Sequence, residues 1–258
     1  MRANIAINED GIIQPSTTPY PPNGGTLVKR TNKLFTVTLS ENPTARALLT
    51  LVRTLRAVET KMQLTGAGEL NFDHYTRAKI CIVLSQMALD RLEAESDYMF
   101  TSKIEILTDA LLQIDVLPEH LFRLGQLSLG KLDVPTALLK ASQAEIKNLV
   151  SVGQTMSMKL CFVATPKQAI WPASQPKIGE TFDECLPPLI NQWLSTIFET
   201  ASAIRLPLYH HGLIKIGEHN RQPFQRLIHP IAPAHERAVN HRVLSVINLT
   251  NAPDSVLI

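Results

Sequence analysis

Aromatic side chains make up only 5% of this 258-residue chain, and it holds just three cysteines, Cys81, Cys161 and Cys185. With so few aromatics the core must rest on Leu, Ile, Val and Ala, which favours close-packed helices over an aromatic-rich β-sandwich. No two cysteines form a C-x-x-C pair. A disulfide framework or cysteine zinc site is therefore not expected, and the three read as reduced, buried thiols of an intracellular protein. No apolar run approaches the roughly 20 residues that a membrane-spanning helix needs. The first residues lack the charged segment and apolar stretch of a signal peptide. The chain is expected to be soluble and cytoplasmic at synthesis, with no membrane span. The motifs G-x-x-x-x-G-K-[ST], G-x-G-x-x-G and G-x-S-x-G are all missing, so the common nucleotide cradles and the nucleophile elbow are absent. These absences point to a protein that is not an enzyme and needs no cofactor.

What the sequence does carry is charge in blocks. The formal net charge is only +2, but residues 26–63 hold seven basic side chains against two acidic ones, a net of +5. Residues 80–119 hold eight acidic against two basic, a net of −6, and residues 205–242 six basic against two acidic, a net of +4. Basic ends around an acidic middle suit head-to-tail self-association or a polyanionic partner. Each block taken singly also fits a solvated face.

The clearest structural commitment lies in 42–64, NPTARALLTLVRTLRAVETKMQL. Pro43 suits a first helical turn, and Leu48, Leu51, Leu55, Val58 and Met62 recur at helical spacing along one face. Arg46, Arg53 and Arg56 fall on the other. Helices are expected over 43–64, 73–98, 102–115 (from a Ser102-Lys103-Ile104-Glu105 capping box) and 134–152. A short one begins at Pro118, another at Pro187-Pro188, and a last one runs from Pro233 to Ile247. Short strands are expected at 34–39, 158–164 and 213–216, and the short IAI and GII pieces at 5–7 and 11–13 could pair as edge strands. The resulting fold class is mainly α: a helical-bundle core with an extended N-terminal arm, an irregular C-terminal region and few short strands. The expected division is an arm over 1–42, a helical core over 43–155, a second helical and irregular subdomain over 156–250, and a tail over 251–258. The arm, with Pro15, Pro19, Pro21, Pro22, Gly24 and Gly25, has no core of its own, so a neighbouring subunit is its expected holder.

Six of the eight histidines, His210, His211, His219, His229, His235 and His241, crowd into 32 residues. Helical zinc ligands stand at i and i+4, whereas His235 and His241 are six apart, so a basic surface with loop histidines outweighs a metal site. Lys29, Arg30, Lys33, Arg46, Arg53 and Arg56 could line a groove that neutralises phosphates without reading bases. Arg221, Arg226, Arg237 and Arg242 would extend it.

The leading expectation is a self-assembling structural protein resembling a viral coat or nucleocapsid subunit. It would form homo-oligomers through its arms, bind nucleic acid (RNA above DNA) through its backbone, and reside in a virion. The alternatives are a helical adaptor that binds another protein through its acidic middle and, third, a histidine-dependent metal hydrolase.

Overall fold

The computed structural model describes residues 4–30, 34–56, 58, 62–66, 71–96, 100–112, 121, 125, 149–155, 159–164, 176–216, 220–231 and 242–249. It overturns the helical-bundle expectation: the protein is mixed α/β, with two six-stranded sheets. The chain divides into two compact units, Met1–Leu92 with Ser195–Ile204, and Glu93–Leu194 with Arg205–Ile258.

The first unit begins where an arm was expected. β1 (Asn4–Ile7) and β2 (Ile13–Pro15) pair as a hairpin, and β1 also pairs antiparallel with β3 (Thr26–Arg30). β3 then pairs with β4 (Phe35–Leu39), which alternates buried Phe35, Val37 and Leu39 with half-exposed threonines, as its sequence predicts. β4 runs parallel to β5 (Met62–Thr65), and the crossover between them carries α1 (Ala45–Leu55). β6 (Asn71–Tyr75) completes the order β2-β1-β3-β4-β5-β6.

The expected face of α1 is correct: Leu48, Leu51 and Leu55 are fully buried. Its length is not, because the chain leaves the helix after Leu55 and Met62 lies buried in a strand. α2 (Arg77–Glu95) is the helix expected over 73–98, with a later start because 71–75 is strand.

The proline- and glycine-rich start folds back because the Asn8–Ile12 turn rests against α1. The Thr44 hydroxyl donates to the Glu9 carbonyl at 2.5 Å and also accepts from Ala47 N at 3.1 Å, so one N-cap residue both caps α1 and holds the hairpin. Gly11 sits at φ +79, where a Cβ would lie 2.7 Å from Thr50 Oγ1 and 3.1 Å from the Arg46 carbonyl. Only glycine meets both the backbone angle and the closeness.

The second unit is organised on an antiparallel sheet of order β7-β10-β11-β12-β8-β9. β7 (Phe100–Ile106) occupies the expected capping box. Its buried Phe100, Ser102 and Ile104 alternate with the outward Lys103, a period of two that overrides the local cap signal. A short α3 (Asp109–Leu112) follows. β8 (Leu149–Gln154) lies where the end of the 134–152 helix was expected, and β9 (Leu160–Ala164) confirms the strand at 158–164. α4 (Phe182–Cys185) precedes α5 (Pro188–Ile204), the helix expected from Pro187-Pro188. The strand expected at 213–216 is the end of β10 (Leu208–Ile216), and the stretch around it expected to be irregular is the rest of β10 and β11 (Asn220–Ile231). β12 (Arg242–Leu249) takes the end of the expected last helix. The rest of that helix, all of 134–148 and most of the short helix from Pro118 lie outside the described residues. Among those described, no helix is long and apolar enough to cross a membrane.

Candidate functional site

The described basic residues singled out from the sequence differ in exposure and in what they touch. Arg46 and Arg30 are exposed, on α1 and at the end of β3. Lys29 donates from Nζ to the Pro19 carbonyl at 3.2 Å. Arg53 and Arg56 are instead engaged inside the first unit by Glu199, whose side chain is completely buried. Arg56 Nη2 donates to Glu199 Oε2, and Arg53 Nε stands 3.3 Å from Oε1, an ionic contact off hydrogen-bond alignment. A carboxylate cannot be buried without such neutralisation. The same stretch of α5 sets Thr200 against Ser85 of α2 through a hydroxyl–hydroxyl hydrogen bond. Arg77 closes the C-terminal end of α1, donating from Nη1 to the carbonyls of Arg56 at 3.2 Å and Val58 at 3.3 Å.

Arg221 is exposed at the start of β11, opposite Lys215, and Arg242 opens β12. Lys33 and Arg237 lie outside the described residues, as do His219, His235 and His241. Among the described residues no group of three or more His, Cys, Asp and Glu is placed to hold a metal.

Arg226 is the exception in the second set, because it is buried. Strand alternation puts it on the same face as Phe224, and the β10–β11 register places His210 directly opposite it. Ser102 of β7 and Trp193 of α5 complete a polar cluster walled by aromatic rings. Phe100 stacks on Trp193 at 4.8 Å, and Phe224 meets His210 edge-on at 4.8 Å and Trp193 at 5.9 Å. The Arg226 guanidinium carbon lies 5.5 Å from the Trp193 ring centre and 5.8 Å from that of Phe224, within cation–π range.

An indole N–H can only donate, and Trp193 Nε1 donates to Ser102 Oγ at 2.6 Å. Ser102 Oγ and His210 Nε2 share a hydrogen bond at 2.9 Å. His210 Nδ1 is buried without a hydrogen-bond partner among the described residues. Burial first, then the neighbouring charges of Arg226 and His211, hold His210 well below the usual histidine range, so the ring is neutral. Burial also pushes the Arg226 guanidinium down to about 9. On the opposite face of β10, Tyr209 stacks on His211 at 5.0 Å.

Ser102 and His210 resemble a nucleophile and base in spacing, but both are buried and closed in by the aromatic rings, so the arrangement packs the sheet instead of presenting a nucleophile to a substrate. Sequence reasoning missed Glu199, Ser102 and Trp193. Glu199 could have been found, because it is the single charge in the apolar run PLINQWLSTIFETASAI, and a lone charge in such a helix needs a buried partner. No protein-family model, curated protein or solved structure matches the chain.

Proposed function

We infer that the protein is a non-enzymatic structural subunit that associates with copies of itself, and that the β2 edge, not a loose arm, makes the contact. The observation that carries this reading is the exposed apolar surface there. Ile12 is 58% exposed, Ile13 52% and Tyr20 75%, and β2 stands at the end of its sheet. An uncovered edge strand with large apolar side chains is a template for pairing with another chain. A polyanion such as nucleic acid would then be held by Arg30 and Arg46, which are exposed, while Arg53 and Arg56 serve the fold.

Analytical ultracentrifugation of the full chain and of Ile13→Lys tests the reading, because an edge lysine blocks strand pairing. The wild type is expected to sediment as oligomers and the variant as a folded monomer. A monomeric wild type, or a variant that assembles equally well, overturns it. For the polyanion, oligonucleotide binding by an Arg30→Gln, Arg46→Gln double variant should weaken, with a salt slope shallower by about one to two units.

A further inference from the structure

The backbone of β2 is oriented by two hydrogen bonds at the ends of its pairing with β1. Asn8 N donates to the Ile12 carbonyl at 3.1 Å, and Ser16 N to the Asn4 carbonyl at 3.0 Å. Bonded and non-bonded positions alternate along an antiparallel pair, so Ile12, Gln14 and Ser16 turn their backbone polar groups toward β1. Ile13 and Pro15, which register with Ile7 and Ile5, turn theirs to the free side of the sheet. That side offers one donor, the Ile13 N–H, and two acceptors, the Ile13 and Pro15 carbonyls. Pro15 has no N–H to give, which an edge position tolerates.

The side chains add a direction. Residues directly opposite each other in a sheet share a face, so Leu39, Thr26, Ile7 and Ile13 form one row across β4, β3, β1 and β2. The first three are buried, whereas Ile13 is 52% exposed. A buried row runs out to the sheet edge and stops at an uncovered isoleucine.

Resting on the self-association inferred above, we propose that the partner of β2 is β2 of a second copy, antiparallel, with Ile13 opposite Ile13 of that copy. In this register each Ile13 N–H donates to the other's carbonyl, and the apolar row continues into the second copy on the same face. Pro15 then falls opposite Gly11, where the chain has already turned away at φ +79 and Gly11 N is committed to the Asn8 carbonyl at 2.9 Å. A shift of two residues, which sets Ile13 opposite Pro15, instead drives each proline ring against the other copy's Ile13 carbonyl. Each copy spends its single β2 edge on the other, so the contact is two-fold and closes at a dimer.

Cysteine cross-linking of the full chain tests this in a Cys161→Ser, Cys185→Ser background. Ile13→Cys sets two thiol-bearing residues about 5.5 Å apart at Cα, within disulfide reach, whereas Gln14→Cys sets them on a diagonal at about 7–8 Å. Under mild oxidation the Ile13→Cys chain should form linked dimers about tenfold faster than the Gln14→Cys chain. In the wild type, exchange of the Ile13 amide should slow about tenfold as rising concentration takes monomer to dimer, a readout that no substitution disturbs. A wild type that sediments as a monomer at every concentration, its edge left for a strand of another protein, overturns self-association and the register together. Dimers in which Gln14→Cys links as fast, or in which Ile13 exchange does not slow, overturn the register alone. Oligomers of more than two copies overturn the closure.

Discussion

Arg56 and Glu199 lie 143 residues apart in sequence and form a hydrogen-bonded ion pair inside the first unit. The arginine side chain is 12% exposed and the carboxylate fully buried, so the pair is a fastening between α1 and the last ten residues of α5. A guanidinium held this way is committed to the carboxylate.

Glu199→Ala is expected to destabilise the protein by about 3 kcal/mol, because it removes the buried carboxylate to which the Arg56 guanidinium donates. Arg53→Ala should cost less than about 1 kcal/mol, since that side chain is 43% exposed and its pairing is solvent-screened. Equilibrium urea unfolding of the two variants gives both numbers. Equal losses would mean that Arg53, not Arg56, carries most of the interaction with the carboxylate.

Deleting residues 1–33 is expected to abolish folding of the first unit, not to release a helical monomer. The deletion removes β1, β2 and β3, and with them the antiparallel partner of β4 and the buried Ile7, Leu27 and Val28. Circular dichroism and size-exclusion elution of the truncated chain check this, and a soluble, cooperatively unfolding product would refute it.

Thiol labelling should separate the cysteines. Burial pushes the Cys81 thiol up to about 12, so at pH 8 almost none of it is thiolate. Cys161 and Cys185 are half-buried. A disulfide reagent should modify them first in the native protein and reach Cys81 only with urea. Fast labelling of Cys81 in a Cys161→Ser, Cys185→Ser background would show that α2 opens readily.

How far the sequence could be read is clear from particular residues. Leu48, Leu51 and Leu55 announced α1 by spacing alone, and Val37 between threonines announced β4. In the second sheet the strands at 158–164 and 213–216 are legible in part, and the rest stays hidden for a physical reason. β11 lies between two neighbours and holds Pro223 and Pro230, opposite Leu213 and Val243, and proline inside a run argues against a central strand. β10 carries adjacent buried histidines, so its two faces do not alternate between apolar and polar. Arg226 read as a surface charge for the same reason. Only the register shows it on the face of Trp193. In β7 a local capping pattern competed with alternation, and tertiary burial of Phe100 and Ile104 decided the outcome.

The split of α5, whose residues 195–204 belong to the first unit, also bears on synthesis. The ribosome releases the first 92 residues long before Glu199 and Thr200 exist to meet Arg56 and Ser85. At roughly 5–20 residues per second the intervening hundred or so residues take about 5–20 seconds. For that interval the first sheet stands with its helical layer incomplete, and closing it means bringing together positions 115 and 143 residues apart. The nascent chain therefore passes through an exposed, half-covered state, when a chaperone would have the most to bind.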